Sequence, residues 1–415
     1  MQHSKETANV TIIGAGIIGV ATALELQSKG YSTLLVDRSA PATACSSGNA
    51  GIIATYGVTP VSLPGLWRKV PKMLLDPVGP LTIRHQYLFK IMPWLLSFWR
   101  AGNHQQVARS AKALEGLVSN SLRDYQTLIK ATAAESLIKA CPVLCLYGSK
   151  EKYTNDQYIW DLRKKHGVSW DPIEGAELHD LEPALASSLN FAVALHNTGF
   201  TVNPQRLTQT LFDEYMKRGG RYLQAEVHNV LKENAGSLQT TVGALPINKV
   251  VIACGAWSGV LAKRIGEPVP LEAERGYNIT LSGFEGSAPR HPIMSPGYKV
   301  ISTPMEHGLR IAGMVEFGGF LPPDYRRSAI LRDQLSQLFP NIKEGVATSW
   351  MGHRPTLPDS LPVISQSTKN QSVFYAFGHQ HVGLTSAPMT AKVVTHLIAG
   401  TPPPINASPF RINRF

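Results

Sequence analysis

The sequence predicts an α/β fold in which a parallel sheet is laid down in separate passes along the chain, with an α+β region inserted between them. Three observations carry this. First, VTII at 10–13, an apolar helical pattern through Leu26 stopped by Gly30, and STLLVD ending at Asp37 form a strand–helix–strand unit with a glycine turn between its first two elements. Second, KVVIACGAW at 249–257 reads as another buried strand ending in a glycine turn. Third, VFYAFGH leads into a glycine and a helix from about Thr385 to Ala399, before the proline-rich TPPPIN.

At 415 residues and 45.2 kDa, with 43% apolar and 17% charged residues, the chain is a globular protein with room for two domains. The returning strands place 1–60, 200–262 and 345–415 in the nucleotide-binding domain, and 61–199 with 263–344 in the second. Residues 60–80 are proline-punctuated, and 105–139 are alanine-rich and helical in character. Asn203-Pro204 starts a helix whose Leu207, Leu211 and Tyr215 recur at intervals of four until Gly219-Gly220, and the strand-like YLQAEVHNV follows.

Cys45, Cys141, Cys145 and Cys254 form no CxxC pair and have no histidine at ligand spacing, so neither a metal site nor a disulfide framework is expected. The polar opening MQHSKETAN lacks the apolar core of a secretory signal, which predicts a cytoplasmic protein. Lys and Arg exceed Asp and Glu by 40 to 29, and 61–140 alone carry 11 basic against 4 acidic residues. That region suits an anionic surface or is simply a solvated face. Within it, YLFKIMPWLLSFW at 87–99 is too short to span a bilayer, and it fits either an interfacial helix touching a membrane or a helix buried in the second domain.

The strongest motif is Gly14-Ala15-Gly16-Ile17-Ile18-Gly19, placed where a strand turns into a helix, with an acid, Asp37, 18 residues after Gly19. Gly14 permits the turn, Gly16 admits a pyrophosphate to the helix amides, and Gly19 lets helix and strand pack closely. Asp37 is positioned to accept from ribose hydroxyls. CSSGNAGII at 45–53 is another small-residue turn able to pass close to phosphate or ribose. Nothing in the glycine pattern separates NAD from FAD.

Beyond this point the chain resembles the flavin amine oxidoreductases of the D-amino-acid oxidase superfamily, most closely the D-amino-acid dehydrogenase small-subunit group, from about Val10 to Gly400. The resemblance is carried by ERGYNITLS at 274–282, GYKVISTP at 297–304, LRIAGMVEF at 309–317, GHRPTLPDSLPVI at 352–364 and GHQHVGLTSAP at 378–388. It implies a Rossmann-type FAD-binding domain interleaved with an α+β substrate-binding domain. It also implies FAD contacts along 14–19, at Asp37 and Arg38, at Ser46, Ser47, Gly48, Asn49, Ala50, Gly51 and Ile52, and at Val227, Cys254, Gly255 and Trp257. Further contacts are implied at Gly352, Arg354, Gly378, His379, Gly383, Leu384 and Thr385, where a helix directs its positive end at the flavin. Gln380 stands where the group commonly has glycine, and WMGHRPTLP lacks the cysteine to which related enzymes attach flavin, so noncovalent FAD is expected.

Arg354, in a Gly-X-Arg-Pro turn, matches the carboxylate-binding arginine of the superfamily, because a guanidinium offers two parallel donors. Tyr277 and Tyr298 are expected to complete the substrate site, and Glu316 resembles a position near the cavity, although a strand-end glutamate also suits an internal ion pair. The resemblance implies oxidative deamination of D-amino acids, with D-proline and hydroxy-D-proline among the candidates, by hydride transfer from the α-carbon to flavin N5. The expected partners are a small amino- or imino-acid substrate, a quinone or other respiratory-chain acceptor, and peripheral contact with the cytoplasmic membrane. A glycine- or sarcosine-type amine oxidase using oxygen is the alternative. A flavin domain acting in RNA modification fits less well, because the basic region holds no recognisable nucleic-acid module.

Overall fold

The computed structural model describes residues 8–68, 70–76, 79, 81–231 and 236–415. Most of the polar opening, and Lys69 of the basic region, lie outside the described residues.

Among the described residues the first sheet has six strands, in the order Arg221–Gln224, Thr33–Asp37, Val10–Ile13, Lys249–Ile252, Val373–Phe377 and Val363–Gln366. All neighbours are parallel except the last pair. Apolar runs without alternation are what a sheet covered on both faces requires, and VTII and VFYAF are buried throughout. Helices Ile17–Ser28 and Gly383–Ala399 pack against each other. The expected strand at 249–257 ends at Ile252 and continues as a turn into the short helix Gly255–Trp257. YLQAEVHNV divides: Arg221–Gln224 completes the parallel sheet, and Val227–Leu231 begins an antiparallel group with Ser237–Thr240 and Gly243–Pro246.

The second sheet is built on three long strands, Glu272–Ser282, Gly308–Phe317 and Val346–Thr356, extended by Val300–Met305, Ile293–Ser295, Val143–Leu146, Phe191–Leu195 and Trp170–Glu174. Val346–Thr356 pairs with Glu272–Ser282 from end to end, so 346–356 belongs to this sheet. The boundary expected at 345 is therefore corrected: the chain rejoins the parallel sheet only at Val363. VATSWMGHRPT shows no clean alternation of apolar and polar residues, which is why its strand character is hidden.

Residues 88–101 form a surface helix that buries Ile91 and Trp94 against Tyr87 and Phe317. Leu88, Phe89, Met92, Leu96 and Trp99 remain exposed, Phe89 by 88%. The fully buried reading of this segment is excluded.

Candidate active site

A cavity of about 950 Å³ opens where the two sheets meet, and both glycine turns reach it. At its nucleotide end Gly14 has φ +116°, and a Cβ there would lie 2.4 Å from the Ala253 carbonyl oxygen, so only glycine makes the turn. Asp37 Oδ2 accepts from the Ala15 amide at 2.7 Å, and the Ser46 hydroxyl accepts from the Ile17 amide at 2.9 Å. Gly16 keeps its α-carbon bare toward the cavity, with Ser46 Oγ as the near neighbour of an added Cβ. The Arg38 guanidinium stacks on Trp257 with Cζ 4.0 Å from the ring centroid. Val227, Cys254 and Gly255 line the same wall.

The loop expected to follow the ribose or phosphate does border the cavity through Ser46 and through Gly48–Ile52. Half-buried Arg310 shapes it by donating to the Ser47 and Asn49 carbonyls, and Asn278 donates to the Gly48 carbonyl. Across the cavity, helix Gly383–Ala399 presents an amino end whose N-cap Val382 supplies no side-chain acceptor. Two helix N-termini and a glycine turn facing one elongated cavity fit the phosphates and flavin of FAD. The fit is chemical as well as spatial, because the positive helix ends and Arg38 suit phosphate, while Asp37, an acceptor with lone pairs beyond those used by the Ala15 and Ser39 amides, suits a ribose.

At the far end of the cavity the long strands of the second sheet carry the charged groups. Between Arg275 and Tyr277 the pairing with Gly308–Phe317 shifts register, and Met314 adopts φ +64°. This bulge turns the Met314 carbonyl toward Arg354, whose Nη1 donates to it at 2.9 Å and to Glu274 Oε1 at 2.8 Å. Gly276 leaves the room: a Cβ there would lie 2.2 Å from the guanidinium. Glu274, 3% exposed, also meets His381 Nε2 at 2.9 Å and accepts from Thr356 Oγ1 at 3.2 Å. Both recorded bonds of Arg354 leave from Nη1, and the side chain is 24% exposed and lines the cavity. Its Nε and Nη2 make no hydrogen bond among the described residues, which leaves two parallel donors of the kind a carboxylate accepts from.

Tyr277 also lines the cavity, but its hydroxyl donates to Glu316 Oε2 and accepts from the Asp324 amide, so the ring rather than the oxygen is offered. Glu316 itself is 1% exposed and pairs with Arg275 at 2.7 Å and Arg84 at 2.9 Å, outside the cavity lining. It forms the internal ion pair that a strand-end glutamate suits, and that pair fixes Tyr277. Tyr298 is likewise outside the lining; it packs on the second-sheet core while neighbouring Lys299, at φ +59°, turns into the cavity instead.

Four of the residues expected to contact the cofactor lie outside the cavity lining and have roles within the fold. Gly19 packs against the turn, where a Cβ would stand 1.8 Å from the Gly14 oxygen. The Ser47 hydroxyl donates to the Ala44 carbonyl at the protein surface. Gly378, at φ +85°, is a turn residue against Leu357. Thr385 Oγ1 accepts from the Ala54 amide and so ties the 45–53 loop to the C-terminal helix. Gly352, His379, Gly383 and Leu384 do line the cavity. His379 is buried, with Nε2 3.1 Å from Thr390 Oγ1, and burial pushes its imidazole down to about 3, so it is neutral. Sequence reasoning missed Glu274, whose only trace is its place at the start of ERGYNITLS.

Fold and site together define a dinucleotide-binding flavoenzyme. The family model described as FAD dependent oxidoreductase (DAO) matches residues 9–397, and the chain belongs to that family. It is 35% identical over 421 residues to a D-amino-acid oxidase of Bradyrhizobium diazoefficiens, covering 99% of each chain. It is 26% identical to a D-amino acid dehydrogenase of Rhizobium rhizogenes, covering 98% of this chain and 99% of that one. Among solved structures, glycine oxidase from Geobacillus kaustophilus superposes with a TM-score of 0.73 at 19% identity, covering 98% of this chain and 99% of the other, which shows a shared fold.

Proposed function

We propose that the protein oxidises a small D-amino acid, with cyclic imino acids such as D-proline in the same class. The observation that carries this is Arg354, held by Glu274 and the Met314 carbonyl so that its remaining edge meets the cavity. That edge offers a carboxylate two parallel N–H donors, and the relatives' names supply the amino-acid class. Bound FAD supplies the hydride acceptor, N5. Arg354 fixes the carboxylate and thereby the direction of the α-hydrogen, while Tyr277 and the cavity wall limit the side chain. His379 is neutral and faces Thr390, so it neither protonates the amine nor repels it. Anaerobic mixing with paired D- and L-amino acids tests the reading: D-enantiomers bleach the flavin faster, and equal or reversed rates contradict it.

FAD is held without a covalent bond in this proposal. Cys45, the cysteine that touches the 350–358 segment, donates to the His353 carbonyl, and burial pushes its thiol up to about 11, away from the thiolate that attachment needs. Acid precipitation of the holoenzyme is expected to leave the yellow chromophore in solution.

The exposed aromatic helix favours an acceptor in the membrane. Phe89, Met92, Leu96 and Trp99 project from it, Trp67 and Leu75 are exposed nearby in sequence, and Arg68, Lys72, Lys90 and Arg100 flank them. No helix among the described residues is long and apolar enough to cross a membrane. An apolar face with basic flanks suits docking on the anionic inner leaflet, where a quinone takes the electrons from the cytoplasmic side.

A further inference from the structure

A further, deeply buried guanidinium in the cavity has no part in the scheme above. Arg163 lies in the last turn of helix Gln157–Lys165, is 8% exposed, and lines the cavity from the second domain. Its Nε has no hydrogen-bond partner, and among the described residues no carboxylate stands within ion-pair distance of it. Its surroundings are otherwise neutral or committed. Cζ lies 5.2 Å from the Tyr56 ring centroid and 4.6 Å from that of Trp160. The thiol of Cys145, pushed up to about 11 by burial, stays protonated and is the one weak acceptor that the Arg163 side chain meets among the described residues. Asp156, the acid on the same wall, has its Oδ2 occupied by the Tyr147 hydroxyl, which in turn accepts from Trp160 Nε1.

A cation this deep is stable only if something answers its charge. Stacking on aromatic rings uses the faces of the guanidinium, and beyond the neutral thiol its N–H edge, with Nε unpartnered, is left to bind an oxyanion in plane. Arg354 differs, because Glu274 already meets it inside the fold. Of these two arginines, one is matched by a carboxylate of the fold and the other is not. We propose that Arg163 receives a second carboxylate, carried on the side chain of the substrate, so that acidic D-amino acids such as D-aspartate and D-glutamate are favoured over their amides. The inference rests on the reading that Arg354 takes the α-carboxylate.

The test is anaerobic flavin reduction of the holoenzyme by D-glutamate and D-aspartate against D-glutamine and D-asparagine, which match them in size and lack the charge. The acid-to-amide ratio of second-order reduction rates is expected to exceed about ten, the effect of one charge-assisted contact of modest strength. In Arg163→Met the ratio is expected to fall to about one, and in Arg163→Lys to stay between the two. A wild-type ratio near one, or a ratio unchanged in Arg163→Met, overturns the proposal, as does loss of FAD from that variant while its fold is kept. Should Arg163→Met not fold, titration of wild-type holoenzyme with succinate and with butyrate, read by flavin difference absorbance, decides. Tighter binding of succinate by about tenfold supports the subsite, and equal binding overturns it. If no amino acid of either kind reduces the flavin, the amino-acid reading has failed, and the succinate titration still judges Arg163 on its own.

Discussion

At Arg354 the local chain and the distant chain contribute in different ways. The Gly-X-Arg-Pro turn can be read from sequence, but the carboxylate beside it comes from Glu274, 80 residues away, through strand pairing at Glu274↔Arg354. The bulge that aims the Met314 carbonyl has no local signature either. For the same reason the sequence does not show that Tyr298 lies outside the cavity lining: a left-handed residue at Lys299 changes which side chain enters the cavity, and composition does not announce it. Arg354→Ala is expected to lower kcat/KM on amino acids roughly ten- to more than a hundredfold, corresponding to about 1.5–3 kcal/mol for a charge-assisted contact. FAD content should be kept, and Arg354→Lys should fall between, because lysine retains charge and loses the fork. The two glycines of the turn separate in a similar way. Gly14→Ala forces a contact with the Ala253 carbonyl at positive φ and should lower the Tm, whereas the added Cβ of Gly16→Ala meets only Ser46 Oγ, at 3.2 Å, and should preserve the fold while weakening FAD retention. Equal melting temperatures for the two variants would contradict this division.

At the scale of elements, the C-terminal helix Gly383–Ala399 was readable from its glycine start and apolar run, and it begins within two residues of its expected position. What the sequence does not show is that His379, just before it, is buried in neutral form. Its folded pKa of about 3 lies below the ordinary imidazole value, so between the two the unfolded chain binds the extra proton. This stability contribution is present above about pH 6.5 and is lost as pH falls toward 3, at about 1.4 kcal/mol per unit. Melting curves between pH 7 and 4 should therefore fall more steeply for wild type than for His379→Asn; parallel curves would contradict the assignment. The helix Leu88–Ala101 was ambiguous in sequence because Lys90 and Pro93 interrupt its stripe, and only tertiary packing shows which face is covered. Holoenzyme is expected to cosediment with anionic liposomes at low salt and to release as salt rises. Phe89→Ser with Trp99→Ser should reduce that binding at least about thirtyfold, each exposed ring contributing about 1–3 kcal/mol when it enters the interface. Absence of cosedimentation at low ionic strength would sink the membrane reading.

Across the whole molecule, the interleaving was legible wherever the chain built buried parallel strands, since those read as continuous apolar runs between glycine turns. It was illegible along Val346–Thr356, a half-exposed strand of the second sheet whose pattern follows the site rather than the core. The consequence is functional: Gly352 and Arg354 sit on the substrate-side sheet yet reach the cavity where the nucleotide turns end. The central claim is that this junction presents a small amino acid to FAD through its carboxylate. The most direct measurement is anaerobic bleaching of the bound flavin by a D-amino acid and by the matching amine without its carboxyl group, in wild type and Arg354→Ala. The account predicts fast bleaching by the amino acid alone in wild type, and slow, nearly equal bleaching by both compounds in the variant. Equal rates for the two compounds in wild type, or an undiminished amino-acid rate in Arg354→Ala, would contradict it.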